Sequence, residues 1–368
     1  MLVRGAAGLA ARIGMSPLVV GLTVVAFATS APELAVTLGA VLGGEPDLAV
    51  GNVVGSNIAN VLMILGTSAL ILPLLVKVQL VRVDIPFMTA FSVLFFLLAS
   101  DGGLSRVDGL ILFVLLILYL SVAIILSRRE GHGDDLHGPG ASIATASAGR
   151  VGRTVGTDAD TMTQAAEEVD VRNGSIGRDL VFLLIGVALL IVGANTLVSG
   201  ATGIATAFGV SELIVGLTVV AIGTSLPELA TSIVAVRRGQ RDLAVGNVVG
   251  SNIFNIGAVA GLAGIISPAG LPVPESALAL DIPLMIAAAV VLLPLAFTGS
   301  VIRRWEGAVL LGLYIFYLIY TVLSAAERPI LHGFTTVMAW FVTPLLFLTL
   351  ASTVAYEIGR RRASTAQG

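Results

Sequence analysis

The sequence predicts an all-α integral membrane protein made of two inverted-topology repeats of about five helices, with helices that break at the membrane midplane. The first observation is composition: 56% of the 368 residues are hydrophobic, only 12% are charged, and the mean hydropathy is +1.00. Soluble domains carry about 25% charged residues. The second observation is a series of apolar runs, and the third is a long internal repeat.

Ten apolar runs are long enough to cross a bilayer, which takes about 20 helical residues. A polar stretch at 128–176, rich in Gly, Ser, Thr and acidic residues, separates the fourth run from the fifth and is typical of a flexible linker. The predicted spans are 15–42, 46–72, 83–100, 105–127, 179–207, 211–237, 242–267, 279–299, 304–325 and 335–358.

The distribution of basic residues predicts the orientation. With the 128–176 linker in the cytoplasm and the spans alternating, 18 of the 20 Lys and Arg residues fall on the cytoplasmic side. Only Arg106 and Arg328 fall on the other side. The positive-inside rule therefore favours a multi-pass protein of the plasma membrane whose central linker and C-terminal tail are cytoplasmic.

The internal repeat joins residues 21–57 to 216–252, where 26 of 37 positions are identical at an offset of 195. The short connection at 43–46 has no basic residue, whereas its counterpart at 237–241 has three arginines. The two connections are therefore expected on opposite faces of the membrane. This makes the copies inverted, as in many secondary transporters.

The same offset predicts the division of the chain. Residues 197–201 follow an apolar stretch, but their counterparts at 2–6 follow nothing, so we expect the first repeat to lack its opening helix. The span at 335–358 has no repeat partner. The predicted units are a first repeat at 1–127, a cytoplasmic linker at 128–176, a second repeat at 177–325, and an added helix with a basic tail at 326–368.

Composition excludes several classes of function. The chain has no cysteine, so it has no disulfide framework and no thiolate metal site. Its three histidines, His132, His137 and His332, lie in polar stretches, and no nucleophile–base pair suggests an enzyme. No basic patch interleaved with aromatic residues suggests nucleic acid binding. The expected partners are small cations and the lipid bilayer, and no cofactor is expected.

Each repeat carries the motif Thr-Ser-x-Pro-Glu inside an apolar span. Pro32 and Pro227 cannot donate a backbone hydrogen bond and disfavour helix in the preceding residue, so each span must break or kink. Carbonyls freed in this way within hydrocarbon must line a cavity or bind a ligand. A bound cation would satisfy them.

Glu33 and Glu228 directly follow the two prolines. A charged side chain at the centre of a membrane helix costs about 2.5–3.5 kcal/mol on insertion scales. Two close carboxylates repel unless a cation lies between them. Hard cations such as Ca²⁺ take six to eight oxygen ligands. The repeat offers further oxygens from Thr29, Ser30, Thr224, Ser225, Ser56, Asn60, Ser251 and Asn255.

Several residues also have purely structural interpretations. Ser30 with Glu33, and Ser225 with Glu228, have the spacing of helix capping boxes. The paired glycines of Gly-Asn-Val-Val-Gly-Ser could close-pack helices or line the site. Four asparagines either line the site or bond across helices: Asn52, Asn57, Asn247 and Asn252.

Other acidic and amide residues are expected to be structural. Asp84 and Asp281, each two residues before a proline, are expected as helix N-caps. Asp108 and Glu306 are expected to mark the ends of spans, and Asn195 to bond between helices.

The doubled motif resembles the alpha repeats of the sodium/calcium exchanger group of the cation/calcium exchanger superfamily, and most closely its prokaryotic branch. The resemblance covers nearly all of 1–325. It implies ten helices in two inverted halves, transported Ca²⁺ and Na⁺, and a midplane site exposed alternately to each side. By position, it implies central carboxylates at Glu33 and Glu228 and hydroxyl ligands at Thr29, Ser30, Ser56, Thr224, Ser225 and Ser251.

The resemblance also implies that Ala26 and Ala221 lend backbone carbonyls to Na⁺. Asn60 and Asn255 lie where the family places an amide or an acid, and asparagine at both argues against potassium co-transport. The expected function is therefore exchange of Ca²⁺ for Na⁺ by alternating access. The alternatives are a proton-coupled antiporter for Ca²⁺ or another divalent cation and, less favoured, a passive cation channel.

Overall fold

The computed structural model describes residues 15–44, 46–133, 221–268, 270–297 and 300–325, with isolated helical residues at Gly5, between 177 and 200, and at 351 and 355. Over these ranges the chain is helical apart from two short strand pairs. The helices are α1 Leu18–Thr29, α2 Ala31–Gly43, α3 Pro46–Ile71, α4 Leu80–Ala99, α5 Arg106–Gly133, α6 Ala221–Thr224, α7 Leu226–Arg237, α8 Arg241–Ile266, α9 Ala277–Phe297 and α10 Arg304–Ala325.

Six of the described helices are long and apolar enough to cross a membrane, and the bent pair α1–α2 adds a seventh span. These seven confirm the predicted spans 15–42, 46–72, 83–100, 105–127, 242–267, 279–299 and 304–325. The span predicted at 211–237 is described only from Ala221 onward. The spans at 179–207 and 335–358, most of the linker and Asn195 lie outside the described residues.

Both copies of the proline motif interrupt their helix at the serine. The axes of α1 and α2 differ by 42° at Ser30, whose backbone (φ −83°, ψ 5°) lies between the helical and extended regions. Ser225 has almost the same backbone (φ −87°, ψ 3°) between α6 and α7. This sparsely allowed region is common in active sites. The predicted break is therefore confirmed in both repeats.

The capping-box interpretation of this motif is wrong. Neither Ser30 nor Ser225 makes a side-chain capping hydrogen bond to its helix. A capping box forms instead at the start of α5, where Ser105 N donates to Asp108 Oδ2 (2.9 Å) and Asp108 N donates to Ser105 Oγ (3.2 Å). The motif serines and glutamates are thus left available for other partners.

The N-cap assignment of the two span aspartates is also wrong. Asp84 is helical (φ −75°, ψ −43°) and ends a π-helical turn that runs directly into Ile85–Ala99. Asp281 ends the equivalent π-turn, Ala277–Asp281, in α9. The π-turn lets the helix continue through the following proline, so no helix start is needed there.

The carboxylates of these aspartates bond to tyrosines instead of capping. Tyr119 donates its hydroxyl to Asp84 Oδ1 (2.9 Å), and Tyr317 donates to Asp281 Oδ1 (3.3 Å). The expected span ends at Asp108 and Glu306 are confirmed, since α5 begins at Arg106 and α10 at Arg304.

Two short antiparallel strand pairs join loops of different repeats. Strand β1 (Leu74–Leu75) pairs with β4 (Val301–Ile302), and β2 (Gly103–Leu104) pairs with β3 (Leu271–Pro272). The loop before α4 thus pairs with the loop before α10. In the second repeat, the loop that corresponds to the one before α4 is instead the loop before α9. Because equivalent loops of inverted repeats lie on opposite faces of the membrane, only non-equivalent loops can pair. Strands this short have no recognisable signal in the sequence.

Basic side chains also join the repeats at the β1–β4 end. Lys77 Nζ lies 2.8 Å from Asp242 Oδ2, Arg241 donates to the carbonyl of Pro73, and Arg304 donates to the carbonyl of Ile71. Arg106 lies in the loop region of β2 and donates to the carbonyl of Ser267. The basic residues therefore separate between the two ends as the orientation analysis predicts.

Glycines set the closest helix crossings. A Cβ on Gly250 of α8 would lie 2.6 Å from the carbonyl oxygen of Leu22, and one on Gly246 would lie 2.7 Å from that of Leu18. In the second repeat, the motif glycines therefore pack α8 onto α1, as small residues do in membrane helices. For their counterparts, Gly51 and Gly55, no described atom lies within 4 Å of such a Cβ.

Candidate cation-binding site

The two motif glutamates lie at the centre of the described helices. Glu33 in the first turn of α2 and Glu228 in the first turn of α7 are both 0% exposed. Ser30 of the first repeat donates to Glu228 Oε1 of the second (3.5 Å), so the two motifs meet. Burying two carboxylates together costs several kcal/mol per charge unless a counter-charge joins them.

Most of the buried side-chain oxygens without a hydrogen-bond partner belong to these glutamates and to the other residues predicted as ligands. The described residues contain twelve such side-chain oxygens, and eight belong to residues predicted as ligands. Native proteins leave few buried polar groups unsatisfied, so these oxygens are candidates for binding a ligand. The eight are both oxygens of Glu33, Oε2 of Glu228, Oδ1 of Asn60 and Asn255, and the hydroxyl oxygens of Ser56, Ser225 and Ser251.

Ser56 and Ser251, like Asn60 and Asn255, occupy equivalent places on α3 and α8, and all four are fully buried. Asn60 and Asn255 each begin a π-helical turn, Asn60–Leu65 and Asn255–Ala260. Such turns occur often at functional sites, because the extra residue redirects a side chain. The sequence placed these residues in the site but did not predict the π-turns.

The motif threonines donate their hydroxyl protons to asparagines of the other repeat. Thr29 Oγ1 donates to Asn247 Oδ1 (3.2 Å), and Thr224 Oγ1 donates to Asn52 Oδ1 (3.4 Å). The prediction that these asparagines bond across helices is therefore confirmed for both. Among the hydroxyls predicted as ligands, those of Thr29, Ser30 and Thr224 have hydrogen-bond partners, and those of Ser56, Ser225 and Ser251 have none in the described chain.

The two alanines predicted to offer carbonyls lie just before the breaks. Ala26 is buried in α1, and its carbonyl accepts the backbone N–H of Ser30 (2.9 Å). The Thr29 hydroxyl oxygen lies 3.4 Å from this carbonyl, but its single proton has a nearer acceptor in Asn247 Oδ1 (3.2 Å). Ala221 begins α6 at the start of a described range. A sodium ion would have to share the Ala26 carbonyl with the Ser30 N–H, so this role stays a prediction.

Four residues of the surrounding network were missed by the sequence reasoning. Asn57 Nδ2 donates to Met285 Sδ (3.4 Å), and Asn252 Nδ2 donates to Met88 Sδ (3.5 Å). Thr37 and Ser232 accept from the other two motif asparagines. Each methionine lies four residues after an aspartate, Met88 after Asp84 and Met285 after Asp281, outside the doubled motif that points to the site.

Residues 1–125 and 179–323 match the family model described as sodium/calcium exchanger protein. The chain belongs to the sodium/calcium exchanger family. Inner membrane protein YrbG of Escherichia coli is 42% identical over 269 residues, covering 73% of this chain and 75% of YrbG. Sodium/calcium exchanger MaX1 of Methanosarcina acetivorans is 35% identical over 329 residues, covering 86% of this chain and 92% of MaX1.

Solved structures of the sodium–calcium exchanger NCX_Mj have the same fold. The form soaked with 2.5 mM Na⁺ and 0.1 mM Ca²⁺ superposes with a TM-score of 0.68 at 30% identity, covering 86% of this chain and 91% of that one. Sodium/calcium exchangers are transporters of Ca²⁺ and Na⁺ rather than enzymes. The chain is accordingly a multi-pass membrane protein of the cation/calcium antiporter class.

Proposed function

We propose that the chain exchanges Ca²⁺ for Na⁺ by alternating access at one site between its two repeats. The observation that carries the proposal is the cluster of eight buried, unpartnered oxygens contributed by both repeats. The proposed ligands are Glu33, Glu228, Thr29, Ser30, Ser56, Asn60, Thr224, Ser225, Ser251 and Asn255, with the carbonyls of Ala26 and Ala221 serving Na⁺.

The chemistry of the cluster suits calcium. Ca²⁺ takes six to eight oxygens and tolerates irregular geometry. Two carboxylates would balance its charge and remove their mutual repulsion. Among the described residues, the sulfurs that bond to this network belong to Met88 and Met285, and they accept amide hydrogens from asparagines. The oxygen donor set favours hard cations over copper or zinc.

Inverted repeats supply the reason for alternating access. Each repeat contributes one broken helix, α1–α2 or α6–α7, and one helix with a π-turn, α3 or α8. Because the two halves are built alike but oriented oppositely, a motion that opens the site to one side has an equivalent that opens it to the other.

The decisive experiment is a flux assay on the full chain reconstituted in liposomes. Uptake of radioactive calcium should require an outward sodium gradient and saturate with calcium concentration. Glu33→Gln or Glu228→Gln should lower uptake at least about a hundredfold, because one unit charge at about 4 Å contributes about 4 kcal/mol at an effective dielectric constant of 20. Glu275→Gln, which makes the same change at an exposed residue just before α9, should transport like the wild type.

Three results would redirect the proposal. Uptake that ignores sodium but follows a pH gradient would mean proton coupling. Non-saturating uptake with single-channel currents would mean a passive channel. Full activity of Glu33→Gln would mean that the cation binds elsewhere.

We also propose the orientation and division of the chain inferred from its sequence: repeats at 1–127 and 177–325, a cytoplasmic linker at 128–176, and an added helix with a cytoplasmic tail at 326–368, all in the plasma membrane. The chain has no cysteine, so single cysteines report sidedness directly. Val78→Cys, in an exposed loop at the β1–β4 end, should react only from the cytoplasm. Asp101→Cys, in the loop before α5, should react only from outside. The reverse labelling would invert the proposed orientation.

A further inference from the structure

We infer that Asn52, Asn57, Asn247 and Asn252 are positioning residues, each of which orients a cation ligand that belongs to the opposite repeat. The inference rests on the proposed cation site. All four side chains are at most 5% exposed. They occupy two equivalent places in the doubled motif Gly-Asn-Val-Val-Gly-Ser-Asn.

One pair holds the motif threonines. Asn247 of the second repeat accepts the hydroxyl proton of Thr29 in the first (3.2 Å), and Asn52 of the first accepts that of Thr224 in the second (3.4 Å). A hydroxyl has one proton and two lone pairs. When the proton is committed to an amide oxygen, the lone pairs are free to face a cation. Without that acceptor, the proton could turn toward the cation and weaken its binding.

The other pair holds the ligand asparagines. Asn252 Oδ1 accepts from Asn60 Nδ2 (3.0 Å), and Asn57 Oδ1 accepts from Asn255 Nδ2 (3.3 Å). The two ends of an amide have nearly the same shape, but only the oxygen can bind a cation. Fixing the NH₂ group of Asn60 or Asn255 on an acceptor therefore directs Oδ1 into the site, and both of those oxygens are buried and unpartnered.

The positioning residues are themselves fixed at the donor end. Asn52 Nδ2 donates to the carbonyl of Glu33 (3.1 Å) and to Thr37 Oγ1 (2.9 Å), and Asn247 Nδ2 donates to Ser232 Oγ (3.5 Å). Asn57 and Asn252 donate to methionine sulfurs of the opposite repeat. Because every one of the four amides is used as both donor and acceptor, aspartate cannot replace it without losing the donor.

The test is a set of double-mutant cycles on the full-length protein, with the dissociation constant for Ca²⁺ as the readout. Calcium-dependent thermal stabilisation gives this constant even for variants that no longer transport. Asn247→Ala should weaken calcium binding about tenfold, the value of one hydrogen bond of about 1.4 kcal/mol. In a Thr29→Val background, the same substitution should weaken binding less than about twofold, because its target hydroxyl is already gone.

The matched control cycle joins Asn247→Ala to Asn60→Ala, since Asn60 bonds to Asn252 and not to Asn247. The effects of these two substitutions should add. A second coupled cycle combines Asn252→Ala with Asn60→Ala. Its two effects on calcium binding should likewise be less than additive, and it replaces the first cycle if the Asn247→Ala variant does not fold.

The outcomes separate the inference from the proposed function. Wild-type protein that binds no calcium would overturn the proposed site. Wild-type protein that binds calcium, with coupled cycles as additive as the control, would leave the site in place and overturn the positioning role. That role would also be overturned if the asparagine variants melted at a lower temperature without calcium but bound calcium with unchanged affinity. The asparagines would then contribute only to the stability of the fold.

Discussion

Replacing Gly250 with alanine would put a methyl group into the helix crossing next to the candidate site. That Cβ would lie 2.6 Å from the carbonyl oxygen of Leu22, 2.8 Å from its Cα and 2.8 Å from Ala26 Cβ. Ordinary contact begins at 3.4 Å, so α1 and α8 would have to separate by about 0.8 Å. The obstructing atoms include rigid backbone, and no side chain can rotate away to relieve the contact.

Two effects of opposite sign decide the magnitude. Overpacking of this kind typically destabilises a fold by about 1–3 kcal/mol. Alanine in place of glycine inside a helix returns about 0.5–1 kcal/mol. The net effect on stability should therefore lie between about zero and a loss of about 2.5 kcal/mol. The loss of transport should be larger, since Ser251 and Ala26 flank the crossing and a displacement of about 1 Å can lower a rate about a hundredfold.

The assay combines the melting temperature of the purified protein with sodium-driven calcium uptake. The matched control is Gly39→Ala in α2, where no described atom lies within 4 Å of the added methyl and the repeat equivalent is already Val234. The control should melt at the same temperature as the wild type or slightly higher, and transport normally. Equal melting and equal uptake for Gly250→Ala would refute the argument that this crossing sets the site geometry.

Three further substitutions test contacts outside the site. Tyr119→Phe should destabilise the fold by about 1–3 kcal/mol, because Asp84 is buried and would lose its hydrogen-bond donor. Tyr317→Phe should destabilise it less, since Asp281 is partly exposed. Equal melting temperatures of Tyr119→Phe and wild type would contradict the first prediction. Lys77→Ala should lower the free energy of unfolding by at most about 1 kcal/mol, because the Lys77 side chain is 45% exposed. The difference from wild type should disappear in high salt, which screens the ion pair with Asp242. A loss of stability that does not depend on salt would show that the contact does not act as an ion pair.

The sequence predicted the parts of this fold that follow from hydrophobicity and from proline chemistry. Seven spans have the predicted positions, because uninterrupted apolar runs of this length have few alternatives in a bilayer. The breaks at Ser30 and Ser225 arise because the proline two residues later has no backbone N–H to donate, and this holds whatever the tertiary packing. The inverted repeat further predicts that Glu33 and Glu228 meet near the midplane.

What the sequence could not predict depends on contacts between distant residues. Asp84 was assigned as an N-cap because local spacing favours one, but the π-turn ending at Asp84 keeps α4 continuous and Tyr119 supplies its donor from another helix. The strand pairs are two residues long and leave no pattern of period two. The hydrogen-bond directions of the asparagines likewise depend on partners about 190 residues away.

The cross-repeat hydrogen bonds have a consequence for how such a chain can arise by gene duplication. Each of the four asparagines accepts a hydrogen bond from a proposed ligand in the other half, so one repeat alone contains proposed ligands without these acceptors. A single-repeat ancestor could complete the arrangement only as an antiparallel dimer, in which two copies of the same chain insert into the membrane in opposite orientations. In the fused chain, a substitution at Asn247 first affects its partner Thr29 in the other half. When the two halves diverge in sequence, each asparagine and its partner must therefore change together.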